Sequence, residues 1–147
     1  MSANTIVERE NGLVQQALAL HAERKFNCAQ AVAYVLAEEV GADPETMYVL
    51  AEGFGAGMGA TTETCGAISG AIFALGQLNS AGTEASGTTK AATYQLVRKL
   101  VNGFRELNGT TICRELKGVG SPDGVRRSCE GCIEDAVRLA VHIIASA

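Results

Sequence analysis

The stretch Cys65-Gly-Ala-Ile-Ser-Gly-Ala-Ile-Phe-Ala-Leu-Gly-Gln-Leu78 decides how this chain folds. It is the longest run of small and apolar residues in the sequence, and it includes Ser69 and Gln77. A membrane-spanning helix needs about 20 predominantly apolar residues. This run is shorter and carries polar interruptions, so it reads as a buried helix. Gly66, Gly70 and Ala74 recur every four residues and therefore share one helix face. Small residues on that face let another helix pack at short range.

Outward from this helix, period-3.6 patterns predominate and no period-two strand is convincing. Upstream, Ile6, Leu13, Val14, Ala17, Leu18 and His21 form a helical stripe across Ile6 to His21. A helix starts at Asn27 with Gln30 in a capping-box arrangement and stops near Gly41. Asp43-Pro44-Glu45 places a cap before a first-turn Pro and opens a short helix to about Glu52. The run GFGAGMGA, residues 53–60, reads as a loop. Downstream, residues Ser80 to Thr89 form a Gly/Ser/Thr connection, and Lys90 to Leu107 form the longest periodic stretch. A short helix follows at Ile112 to Lys117, and a last one at Ser128 to Ile144. The fold predicted is all-α: a compact single domain over residues 1–147, a bundle of about six helices around the central Gly/Ala-rich helix.

The chain has 147 residues, enough to bury a core without staples. Apolar residues make up 47% and aromatics only 5%, with no Trp, so the core is built from Ala, Leu, Val and Ile. Net charge is −4 with both signs spread along the chain. With no basic stripe or aromatic stacking run, nucleic acid and anionic membrane are not the expected partners. Glu8, Arg9 and Glu10 leave no apolar segment for a signal peptide, so the expected location is cytoplasmic. Thiols there stay reduced, and five cysteines, an odd number, point to metal or redox chemistry more than to structural disulfides.

Four of those cysteines closely follow a residue able to cap a helix: Asn27-Cys28, Thr64-Cys65, Thr111-Ile112-Cys113 and Ser128-Cys129. Cys132 lies one turn beyond the last. Helix N-termini carry unpaired N–H groups and partial positive charge, which bias a sulfur toward thiolate, the form that attacks disulfides and binds metals. Arg126-Arg127 beside Ser128-Cys129 adds to that bias.

FNCAQAV around Cys28, GFGAGMG before Cys65, CGAISGAIFALG, Cys113 and a late cysteine together resemble the C_GCAxxG_C_C family, whose members carry a redox assignment. The resemblance covers nearly the whole chain. It implies redox character at a site where four cysteines meet. Either Cys129 or Cys132 serves as the fourth, and Cys129 is favoured because it begins a helix while Cys132 falls on the inward face of that helix.

Three readings follow. In the leading one, Cys28, Cys65, Cys113 and Cys129 converge from distant helices to ligate an iron–sulfur cluster for electron transfer, with Cys132 peripheral or a substitute ligand. In the second, the protein is a thiol–disulfide oxidoreductase in which Cys129 attacks and Cys132 or Cys65 resolves. Cys129-x-x-Cys132 suits this, although the βαβ context of thioredoxins is missing. In the third, the cysteines only pack, or hold Zn, in a structural or interaction module. Zn is the weaker choice because a domain of this size hardly needs a redox-inert staple. A redox partner protein is implied without being named, and the small-residue faces would accommodate a homodimer. Gly55-Ala-Gly57-Met-Gly59-Ala60 fails as a dinucleotide fingerprint because it follows a helix rather than a strand. His21 and His142 belong to no catalytic constellation.

Overall fold

The computed structural model describes residues 3–147, with side chains from residue 5. Eight α-helices follow one another among these residues: α1 (Ala3–Glu8), α2 (Glu10–Glu23), α3 (Cys28–Ala37), α4 (Pro44–Ala51), α5 (Gly66–Asn79), α6 (Lys90–Asn108), α7 (Cys113–Lys117) and α8 (Cys129–Ser146). The all-α expectation holds. The stretch expected as one helix from Ile6 divides at Arg9, whose guanidinium pairs with Glu39 on the turn after α3.

α5 is the central helix, as its composition predicts, packing against α3, α4, α6 and α8. Its most extensive contact is with α3. A Cβ added at Gly70 would overlap the Ala29 carbonyl of α3, so glycine is what lets the two backbones approach. The face formed by Gly66 and Gly70 is thus covered from within the chain. A continuous core runs from Ile6 to Ile143 and is rich in alanine, with Ala29, Ala31, Ala33, Ala67, Ala71, Ala74, Ala136 and Ala140 fully buried. Phe104, Leu36, Ile68, Leu75 and Leu100 supply its bulk. α8 is tied to α2 by Arg138, whose Nη1 donates to Glu10 Oε2 at 2.7 Å while Nε donates to Glu134 Oε2 at 3.0 Å. His142 Nε2 meets Glu10 Oε1 at 2.6 Å, so that histidine of α8 has a carboxylate partner on α2.

Three expected caps form. Asn27 Oδ1 accepts from Gln30 N at 2.9 Å, with Gln30 Oε1 accepting back from Asn27 N at 3.0 Å. Asp43 Oδ2 accepts from Thr46 N at 2.9 Å, and Ser128 Oγ from Gly131 N at 3.0 Å. The other two do not. Cys65 itself occupies the N-cap position of α5, and Ile112 that of α7, neither with a side-chain cap bond. The reason is an isolated antiparallel bridge between Thr64 and Ile112, which pulls both segments into extended backbone before their helices begin.

Gly70→Ala should destabilise the protein by about 1–3 kcal/mol through overpacking against Ala29, lowering the melting temperature by several degrees. Gly76 is also inside α5, but a Cβ there meets nothing. Gly76→Ala should raise the melting temperature, by up to about 1 kcal/mol of stability. Thermal melts of the two variants by circular dichroism give the comparison.

Candidate functional site: a five-cysteine cavity

Each cysteine reaches the same place by a different local device. Cys28 begins α3, whose start is fixed by the Asn27–Gln30 box and by Asn27 Nδ2 donating to Glu52 O at 2.9 Å. Cys65 and Cys113 are set side by side by the bridge: Cys65 N donates to Thr111 O and Cys113 N to Glu63 O, each at 2.8 Å. Cys129 begins α8. The loop before it is anchored to α7 by Arg126 N and Arg127 N, both donating to Leu116 O, at 2.8 and 3.1 Å. Cys132 lies one turn further along α8 and is buried.

The glycine-rich run is a tight, strained turn. Ala56, Met58 and Thr61 all adopt positive φ, at 53°, 65° and 66°. Such conformations are uncommon for residues with a Cβ, least of all a β-branched one. The turn brings Gly57 against Cys113, where a Cβ would stand 2.5 Å from Cys113 Cβ. It also brings the Ala56 N–H to the Cys28 sulfur. Gly66 completes the fit: a Cβ there would lie 2.5 Å from Cys28 Sγ. The glycines of GFGAGMG and CGAxxG therefore make room for sulfur and for the backbone around it.

All five cysteines line one cavity of about 140 Å³. Cys28 and Cys132 both act on the ionisation of Cys65, so these three sulfurs are neighbours in the cavity. Cys113 shares the cavity with Cys129, which acts on its ionisation. Four of the five are buried, and Cys129 alone is partly exposed. Cys132, expected on the inward face of its helix but at the margin of the site, is buried and lines the cavity with the others.

The expected bias of helix-start sulfurs toward thiolate does not hold for the buried three. Cys28 is pushed well above the usual thiol range, first by its hydrogen bond to Cys65 and then by burial. Cys65 is pushed up to about 12, chiefly by its hydrogen bond to Cys132, despite a lowering contribution from Cys28. Burial raises Cys113. The helix N–H groups of Ala29 and Ala67 do act on Cys28 and Cys65 and lower them, but crowding and desolvation outweigh that effect.

Two cations and a histidine also line the cavity. Lys117, four residues after Cys113 on α7, is held protonated above its ordinary range mainly by the charge of Cys129. Arg127 Nε and Nη2 donate to Asp135 Oδ2 and Oδ1, both at 3.1 Å, and its guanidinium crosses directly over Gly131. The second spacer of Cys129-Glu-Gly-Cys132 is thus glycine because an arginine lies on it. His21 Nδ1 is 2.8 Å from Phe26 O and so donates to that carbonyl, leaving Nε2 toward Glu130 at 4.0 Å. The sequence reading did not single out Lys117. Its i+4 spacing from Cys113 on one short helix was the available signal.

Among the described residues, no group of three or more His, Cys, Asp or Glu side chains is disposed to hold a metal ion. No helix among the described residues is long and apolar enough to cross a membrane.

Residues 26–143 match the family described as "Putative redox-active protein (C_GCAxxG_C_C)". The chain belongs to that family, as the five cysteines and the CGAxxG helix start suggest. No curated protein and no solved structure matches it.

The raised thiols have a consequence for stability. A thiol of the unfolded chain ionises near 9.0, whereas Cys65 holds its proton to about 12. Between these values the unfolded state binds fewer protons than the native state, so stability falls as pH rises. Cys28 and Cys113 act in the same direction. The reduced protein should lose denaturant resistance from about pH 9 to 12. Mutation of Cys65 to Ala should flatten that loss, as read from urea midpoints at several pH values.

Proposed function

We propose that the five-cysteine cavity is a thiol–disulfide redox centre in which Cys129 is the attacking thiol and Cys132 the resolving one. One observation carries this reading: Cys129 is the single partly exposed sulfur of the cavity, and it stands one helical turn from a buried partner. Attack requires an accessible sulfur with thiolate character. Lys117 lines the same cavity, and Cys129 begins α8.

The reaction is an exchange with a disulfide R–S–S–R′, carried by a partner protein or a small thiol compound. Cys129 thiolate attacks one sulfur, breaking the substrate S–S bond, forming a mixed disulfide and releasing R′S⁻. Cys132 thiolate then attacks the Cys129 sulfur, forming the Cys129–Cys132 bond and releasing RS⁻. The two protons of the cysteines pass to the released thiolates, so the substrate gains two electrons and the protein loses two. A reducing compartment such as the cytoplasm keeps the remaining thiols free.

A second reading is favoured by the cavity itself. Five sulfurs surround an apolar space, with backbone N–H groups directed at Cys28 and Cys65. Thiolates so arranged match the donor chemistry of an iron–sulfur cluster, for which Cys28, Cys65, Cys113 and Cys129 would be the ligands. Such a cluster would supply one-electron transfer in place of disulfide exchange. The chain's own contribution would be the N–H donors and the exclusion of water. Zn has less support, because the sulfurs do not close on a single ion.

Anaerobic purification followed by iron and sulfide assay, and by peptide mapping after one equivalent of a small disulfide, separates the two. Colourless protein that forms a Cys129–Cys132-dependent disulfide supports the exchange reading. Exchange should fall at least a hundredfold in Cys129→Ser, whose hydroxyl is not nucleophilic at neutral pH. Stoichiometric iron and labile sulfide would overturn it in favour of a cluster.

A further inference from the structure

The short helix α7 separates two hollows. Cys113, Leu116 and Lys117, spaced about one turn apart, line the cysteine cavity. Arg114, Glu115 and Gly118 line a second, wider cleft of about 540 Å³. The lining of this cleft continues into the loop of residues 118–126, which is tightly built. Ser121 N donates to Gly118 O at 3.0 Å, and a Cβ on Gly118 would overlap the Gly124 carbonyl. The same loop is fastened to α7 by Arg126 N donating to Leu116 O at 2.8 Å, and three residues after Arg126 it delivers Cys129 to the cavity.

Two guanidinium groups lie against glycine backbone in the cleft. Arg126 Nη1 is 2.6 Å from where a Cβ of Gly109 would stand, and Arg114 Nη2 is 3.8 Å from the same point on Gly120. Among the described residues, neither arginine enters an ion pair. Glu115, the one carboxylate among the lining residues, accepts from Thr110 Oγ1. Exposed Val119 shares the lining, and exposed Val125 adjoins Arg126. The sign of this face is opposite to that of the molecule. The chain carries a net charge of −4, yet residues 114–127 hold Arg114, Lys117, Arg126 and Arg127 against Glu115 and Asp123.

We propose that this cleft docks an acidic peptide segment of the disulfide-bearing partner, holding that partner's disulfide toward Cys129. The proposal rests on the exchange reading given above and adds the chemistry of the partner. A guanidinium pairs bidentately with a carboxylate, and two of them stand here without an ion-pair partner of their own. In an otherwise acidic chain, a cationic face attracts an acidic partner while the rest of the surface repels it. Charge thus fixes orientation as well as encounter. The cleft has room for several side chains instead of one ion, and its valine gives an apolar contact that a peptide uses and an inorganic anion does not.

The test uses full-length reduced protein and two symmetric peptide disulfides, one with its cysteine flanked by glutamates and one by serines. The readout is the ratio of their kcat/KM values in the wild type, Arg114→Gln, Arg126→Gln and Lys99→Gln. Lys99 is exposed on α6, so its loss removes the same charge from elsewhere. The ratio of glutamate to serine peptide should fall about tenfold in each arginine variant. It should stay at the wild-type value in Lys99→Gln. In about 1 M salt, where the Debye length is about 3 Å, the wild-type ratio should drop to that of the arginine variants. An equal ratio in all four proteins overturns the docking site and leaves exchange at Cys129 intact. Failure of the wild type to exchange with the serine peptide removes the exchange reading, and the docking role with it. Free succinate that competes as strongly as a cysteine-free glutamate peptide overturns the proposal by reassigning the cleft to small dicarboxylates.

Discussion

The close approach of α3 and α5 is the constraint on which the site depends. Gly70 lets the α5 backbone come against the Ala29 carbonyl, and Gly66 lets Cys28 Sγ sit beside the first turn of α5. With any larger residue at these two positions the helices would stand further apart, and Cys28 would lose Cys65. The same residues serve the fold and the chemistry, because the seam that closes the core also brings two sulfurs together. Interiors packed to crystal-like density transmit small changes in volume, so the seam leaves little slack.

Burying sulfurs next to one another has an electrostatic result opposite to that of a lone cysteine at a helix start. A solitary thiol there is drawn toward thiolate by the helix N–H groups. In this cavity the N–H groups are present, yet each buried thiol also faces another sulfur and little water. The site therefore grades its thiols by position. Cys129 lies at the edge, while Cys65 and Cys28 hold their protons well above the ordinary thiol range. Arg127, locked to Asp135 and laid across Gly131, closes the side of the cavity nearest α8.

Much of this was legible in the chain. The helices and three of their caps follow from periodicity and from Asn27, Asp43 and Ser128. The Gly66–Gly70–Ala74 face announces a close helix pair. Convergence of cysteines was suggested by their helix starts and by the CGAxxG resemblance. Three features were not legible. The Thr64–Ile112 bridge involves a single residue pair far apart in sequence, too short to leave a strand pattern, and it displaces the expected Thr64 and Thr111 caps. The neighbours of Cys132 follow from how α8 packs against α5, which spacing within α8 alone does not fix. The raised thiols depend on which sulfurs become neighbours, a tertiary property. The family is described as redox-active, and the cysteines gathered on one cavity support the particular version proposed above.

That version is tested most directly by counting free thiols in the metal-analysed protein before and after one equivalent of a small disulfide oxidant. The account predicts loss of two of the five thiols, full recovery on reduction, and no iron or labile sulfide at any stage. Five thiols that remain unreactive, or iron and sulfide bound in stoichiometric amount, would contradict it.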